Sequence, residues 1–278
     1  MNAAVNIHPF FLPTALGNLF CIHSTPMNTP VRANVLYLHP FAEEMHKSRR
    51  MAALQARQFA AAGVAVLQLD LTGCGDSWGD FNDARWERWQ NDVFCAIDWL
   101  NSEHNQDAPL LIWGLRLGGM LALDCARQLP NIAGVLLWQP IINGELFLNQ
   151  FLRIKLASEM LSEGQARTGT RQLREQLTAG ESIEIGGYWL AAEFAQTIAT
   201  LHLAQITPSS PVVWMDVVAD AESLPTPAQQ KIIQEWENSG CHLHTCHVVG
   251  EPFWMTQEIT ECPALLTATV EMMEQMLK

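Results

Sequence analysis

The chain's strongest constraint is an alternation of short apolar runs with helical patterns. "NLFCIHS" (18–24) and "NVLYLHP" (34–40) come first, and "AVLQLDL" (65–71) follows an Ala-rich helical stretch at 51–62. Next come the amphipathic "RWERWQNDVFCAIDWLNSE" (85–103), the strand "PLLIWG" (109–114), a helix over 118–129 and the strand "GVLLWQP" (134–140). Apolar strands separated by helices of this length imply crossover units and a mostly parallel sheet covered on both faces. The rhythm breaks over 142–209, where "LFLNQFLRIKLASEML", "TRQLREQL" and "LAAEFAQTIATLHLAQ" read as helices and no buried strand is expected. It resumes with "PVVWMDVV", the helix "PAQQKIIQEWENSG", the strand "HLHTCHVVG" and a helix from about Pro263. The expected organisation is one core, 1–141 with 210–278, and a helical cap at 142–209 over the sheet's C-terminal edge. Open α/β sheets bind ligands at that edge.

The run "LLIWGLRLGG" (110–119) passes straight into the helical "MLALDCARQL". Gly114-x-Arg116-x-Gly118 has the spacing of the α/β-hydrolase nucleophile elbow, Gly-x-Ser-x-Gly between strand and helix. Gly114 and Gly118 supply the room such a strained turn needs, and Gly119 lets the helix approach the sheet. Arginine, however, has five donors, no acceptor and a pKa too high to lose its proton, so it cannot attack a carbonyl. A triad of this fold continues with an acid and then a histidine. Asp216, Asp220 and Glu222 in "VVWMDVVADAESLP" are the acid candidates. The loop expected to carry the histidine reads "VVGEPFWMTQE", with Glu251, Pro252, Phe253 and Trp254, while His247 falls earlier, within the strand. Two of three catalytic positions are unfilled, which argues against Ser-His-Asp hydrolysis.

Two further stretches have the form of working loops of this fold. "LYLHPFAEE" ends a strand where an oxyanion loop begins, bringing His39 and Phe41 near the elbow. "DLTGCGDSWGD" follows the next strand with the pattern Asp-x-x-Gly-x-Gly-x-Ser. Together "PFAEEMHKSRRM", "LDLTGCGDSWGDF", "WGLRLGG" and "WQPIINGELFLNQFLR" resemble the exosortase A system-associated hydrolase 2 family, over about residues 8–270. The resemblance implies an α/β-hydrolase-like protein encoded beside the PEP-CTERM sorting and exopolysaccharide machinery of Gram-negative bacteria. It also implies an arginine where the serine is expected; His46 stands where asparagine is expected in relatives.

A guanidinium at a helix N-terminus faces the positive pole of the helix dipole, and under a cap it is partly desolvated. Arg116 therefore needs an acid. Glu43 and Glu44 in the neighbouring loop, with Asp76 and Asp80 in the next, are available, and a salt bridge to Glu43 or Glu44 is expected. Arg116 then reads first as a latch tying the elbow to the oxyanion loop. Its second reading is an anion receptor binding a carboxylate, phosphate or acidic sugar. Lys47, Arg49 and Arg50 are candidate helpers, and the expected pocket comprises His39, Phe41, Glu43, Glu44, Asp76, Ser77, Arg116, Leu117 and Trp254.

Cys74 and Ser77 are candidate displaced nucleophiles, although glycine-rich turns carry such residues chiefly for local hydrogen bonding. His242, His244 and Cys246 have a spacing that suits zinc, but without a second ligand cluster a plain strand is favoured, and neither metal nor cofactor is expected. Among ten tryptophans, Trp78, Trp86, Trp89, Trp138, Trp189 and Trp254 could stack sugars, with packing the commoner role.

Composition narrows the partners. Net charge is −13, which disfavours nucleic acid and anionic membrane surfaces. Seven scattered cysteines form no disulfide framework, the N-terminus lacks a signal-peptide pattern, and no run of 18 apolar residues occurs, so a cytoplasmic protein without a membrane span is expected. Two functional readings follow. One is a catalytically silent relative that binds an anionic or sugar-derived ligand, or a protein partner of the exosortase system, in the old active-site cleft. The alternative is an ester or thioester hydrolase using a residue outside the usual triad. Sequence chemistry favours the first and the family name the second.

Overall fold

The computed structural model describes residues 4–103, 108–163 and 169–278. Residues 1–3 and 104–107 of the expected core, and 164–168 of the expected cap, lie outside the described residues. The main sheet has the order β1(Val5–Pro13), β2(Asn18–Pro26), β4(Val64–Leu69), β3(Ala33–Leu38), β5(Leu110–Leu115), β6(Ile132–Trp138), β9(Val212–Val218), β10(Leu243–Val249). β1 pairs with β2 and β2 with β4 antiparallel, and every other pair is parallel.

Strands β3 and β5 are buried at every residue because helices cover both faces. Alternate residues feed two cores. Leu36, Leu38, Ile112, Leu137 and Trp214 pack against α2(Trp86–Glu103), α3(Leu117–Ala126) and α7(Pro227–Asn238). Val35, Tyr37, Trp113, Trp138 and Met215 pack against α1(Glu43–Ala61) and α8(Pro263–Met276).

Three elements depart from the sequence expectation. β1 was not anticipated: its side chains are mostly exposed and it carries Pro9 and Pro13, tolerated because it forms the sheet's edge. α1 begins at Glu43, ahead of the "HKSRR" expected at the helix start and the helical stretch at 51–62, entered through Ala42 at φ 48° and ψ −124°, with Glu43 and Glu44 in the first turn, where carboxylates suit the dipole. Between β6 and β9 lie α4(Gly144–Glu163), α5(Thr170–Thr178) and α6(Ala192–Thr200), but also a hairpin, β7(Ile183–Ile185) with β8(Tyr188–Leu190). Its turn is Gly186-Gly187 at φ 57° and 89°, a two-glycine hairpin signal that the surrounding helical periodicity obscured.

Candidate functional site

β5 ends at Leu115, Arg116 adopts φ 56° and ψ −118°, and α3 starts at the next residue. This conformation is strained for a side chain with a Cβ, and the surroundings hold it there. The Arg116 N–H donates to the Trp138 carbonyl at 2.9 Å, and the Arg116 carbonyl accepts from Gly119 at 3.0 Å. A Cβ on Gly114 would stand 2.3 Å from the Gly118 carbonyl oxygen, and one on Gly118 would stand 2.3 Å from that of Leu38. The two glycines let strand, helix and the end of β3 meet at one point. Ala42 takes almost the same backbone conformation at the start of α1, so two helices enter from the same kind of strained turn.

The Arg116 side chain is held from two sides. Its Nε and Nη2 donate to Glu44 Oε1 at 3.2 and 3.1 Å. Its guanidinium carbon lies 5.4 Å from the Trp254 ring centroid, within cation–π range. The expected acidic partner is thus Glu44; Glu43 turns outward to Lys47 at 3.3 Å. The side chains of Arg116 and Glu44 are only 15% and 20% exposed. Burial pushes the Glu44 carboxyl up, and Arg116 pulls it down by a smaller amount. Glu44 Oε2 and the Trp254 Nε1–H are buried and find no partner among the described residues.

Beside this cluster opens a cavity of about 760 Å³. Phe41, Glu43, Glu44 and Lys47 line it from the β3–α1 region, Arg116 from the elbow, and Gln139 and Val217 from beyond β6 and the end of β9. Pro252, Trp254 and Met255 of the β10–α8 loop form a second side, and Phe147, Gln150, Phe151, Arg153 and Ile154 of α4 form a third. Gln139 sits at φ 44° with its Oε1 accepting from the Val217 N–H at 2.8 Å, which joins the ends of β6 and β9.

Several expected pocket residues lie elsewhere. His39 is buried; Nδ1 lies 2.7 Å from the Pro40 carbonyl, Nε2 accepts from the Leu71 N–H at 3.1 Å, and burial lowers its pKa. A neutral imidazole pinned in this way links the ends of β3 and β4 and does not line the cavity. Asp76 is exposed, with its N–H on Asp70 Oδ2, and Asp80 also faces solvent. The Ser77 hydroxyl accepts from the Phe20 N–H and donates to the Asp70 carbonyl, so it ties its loop to β2. Cys74 is buried and burial drives its thiol pKa far up, the opposite of an activated nucleophile. Leu117 is fully buried beneath the elbow. Arg49 pairs with Asp70 at 2.8 Å and Arg50 with Glu261, so of the three basic helpers Lys47 alone lines the cavity.

Of the acid candidates, Asp220 and Glu222 are exposed. Asp216 is buried, accepting from Trp214 and Gln229 at 2.9 Å each, with His247 Nε2 at 4.0 Å. Burial raises its pKa. This acid–histidine pair lies toward α7, and neither member lines the cavity; among the described residues no histidine does. Nor do any three described His, Cys, Asp or Glu side chains gather to hold a metal ion, so His242, His244 and Cys246 form no ligand set. Of the tryptophans considered, Trp254 lines the cavity, Trp86, Trp89 and Trp138 are core, and Trp78 and Trp189 are exposed away from it. His46 is 6.5 Å from the Tyr188 ring, also outside the cavity. The sequence reading missed Gln139 and the α4 wall, including Arg153. The apolar spacing of Phe147, Phe151 and Ile154 was the available signal for that wall.

A mostly parallel eight-stranded sheet with an elbow at the end of β5 defines the α/β-hydrolase fold, and solved structures agree. Est1E from Butyrivibrio proteoclasticus with bound ferulic acid superposes with a TM-score of 0.68 at 16% identity, covering 96% of this chain and 99% of that one. A thermostable carboxyl esterase from Bacillus coagulans in complex with glycerol gives 0.67 at 16% identity, with 99% of each chain covered. A soluble variant of monoglyceride lipase from Saccharomyces cerevisiae, in complex with a substrate analogue, gives 0.64 at 13%, over 99% and 96%. No curated protein matches the sequence. Residues 29–179 match the family model described as serine aminopeptidase, S33, and the chain belongs to that family. No described helix is long and apolar enough to cross a membrane.

Proposed function

We propose that this chain is a catalytically silent member of its family that binds a small organic anion in the cleft beside the elbow, under a cap formed by 142–209. The observation that carries this reading is Arg116, held in the elbow conformation and clamped by Glu44 and Trp254 where a hydrolase needs a nucleophile and its base. Arg116 acts as the latch. Support for an anionic occupant comes from the cationic side chains that reach the cavity, Lys47, Arg116 and Arg153, against Glu43 and Glu44. Est1E, which shares the fold, is found with an organic acid.

The alternative, hydrolysis through Cys74 or Ser77, has against it the burial of both residues and their absence from the cavity wall. The motif resemblance supports a role beside the exosortase and exopolysaccharide machinery, with an acidic sugar or a partner protein of that system as occupant. A cytoplasmic location fits the same reading. The test is hydrolysis of short-chain ester and thioester panels by the wild type, Arg116→Ala and Ser77→Ala. All three matching the buffer blank is the expected result. Turnover that one variant abolishes would refute it.

A further inference from the structure

The cavity carries five charged side chains, and two opposite pairs account for four of them. Arg116 donates two N–H groups to Glu44, and Lys47 is tied to Glu43 one turn away on α1. Arg153 is different. It lines the cavity from α4, is exposed, and has no carboxylate or hydrogen-bond partner among the described residues. An incoming anion at Arg116 would find only the N–H groups that Glu44 leaves free, on a guanidinium whose charge Glu44 already offsets at 3.1 Å. An anion that chose Arg153 would displace nothing. The same helix supplies the apolar side of the site: Phe147, Phe151 and Ile154 recur at i, i+4 and i+7 and face the cavity with Phe41 and Trp254. Arg153 stands at the edge of that stripe.

We propose that Arg153, rather than Arg116, recognises the ligand's charge, and that the ligand class is an amphipathic organic monoanion. Its carboxylate sits at Arg153 and its acyl or aryl body lies against the aromatic wall. The inference rests on the reading of this cleft as a binding site and adds the residue and the chemistry. A fully hydroxylated acid fits this wall poorly, because burying its hydroxyls against Phe147 and Phe151 leaves them without partners.

Quenching of tryptophan fluorescence and calorimetry would follow binding of octanoate and 4-phenylbutyrate, with octanamide as the neutral isostere and acetate as the anion without a body. The wild type should prefer octanoate to octanamide by about tenfold, as expected for one charge-assisted contact. Arg153→Met, at an exposed position, should lose that preference while binding octanamide unchanged. Arg116→Met should keep the preference at a temperature where it remains folded. Acetate should not bind. The proposal is overturned if Arg153→Met retains the preference, if Arg116→Met alone abolishes it, or if acetate binds as well as octanoate. If none of these probes, nor glucuronate, binds the wild type, the binding-site reading itself falls with it. Tight binding of glucuronate alone would keep that reading and overturn this one.

Discussion

Replacing Arg116 by methionine tests the latch directly. The variant keeps the length of the side chain and removes the charge that Glu44 faces at 3.1 Å. At an effective dielectric of about 20 the gross attraction across that distance is roughly 5 kcal/mol. Desolvating both groups returns much of it, and side chains 15% and 20% exposed lie between the surface and buried limits, so a net coupling of about 2 kcal/mol is expected. The assay is a double-mutant cycle of Arg116→Met and Glu44→Gln, read by thermal unfolding. Arg116→Met alone should lower Tm by about 4–8 °C, and Glu44→Gln in that background should recover most of the loss.

The pH dependence carries a sign. Burial holds the folded Glu44 pKa above its unfolded value, so the group's contribution is present at low pH and is lost as pH rises through the folded pKa. Without Arg116 the largest lowering influence is gone and the folded pKa climbs further. The deficit of Arg116→Met should therefore be larger at pH 8 than at pH 5. A coupling below about 0.5 kcal/mol, or a deficit independent of pH, would refute the latch.

Other residues give independent tests. Gly118→Ala places a Cβ 2.3 Å from the Leu38 carbonyl oxygen, between two elements that cannot yield, and should cost at least about 3 kcal/mol or the soluble fold; a variant with the wild-type Tm would contradict the close approach. Asp92 accepts from the Thr72 N–H and hydroxyl, yet burial pushes its pKa up to about 6. Its folded pKa lies above the unfolded one, so stability should fall as pH rises from about 4 through 6, by up to roughly 3 kcal/mol from this group. Asp92→Asn should flatten that slope in urea titrations. Arg116→Ser restores a hydroxyl to the elbow but should show no esterase activity above blank, because no described histidine lines the cavity.

The elbow was legible in the sequence because its determinants are local. Gly114 and Gly118 flank residue 116 at a fixed spacing, and both glycines are demanded by contacts of 2.3 Å. The ion pair was legible for a less local reason: an arginine at a helix N-terminus needs an acid, and adjacency of β3 and β5 delivers the β3–α1 loop. The choice between the two glutamates was not legible, since it depends on the helix face, and the face depends on where α1 starts. With "HKSRR" (46–50) expected at the helix start, residues 43 and 44 were left in a loop without a face. Arg153 was invisible for the same reason on a larger scale. The stripe of Phe147, Phe151 and Ile154 marks an apolar face with Arg153 at its edge, but what that face meets is set by how α4 packs on α6, which the spacing alone does not encode. His39 and Asp76 went wrong in the other direction. Their loops do end near the elbow, but His39 is taken up by the Pro40 carbonyl and Leu71 N–H, and Asp76 faces solvent.

The side chains at the elbow form a coupled set. Arg116 at the start of α3 requires an anion, and Glu44 is buried enough to be costly without a cation. Trp254, in the loop after the last strand, holds its ring centroid 5.4 Å from the guanidinium carbon. Each of the three makes the others tolerable, and none does so for a serine. The strained backbone, with Arg116 at φ 56° and Ala42 at φ 48°, is surrounded by side chains that hold one another. The strained turn fixes the edge of the cavity that Phe41, Phe147 and Arg153 line.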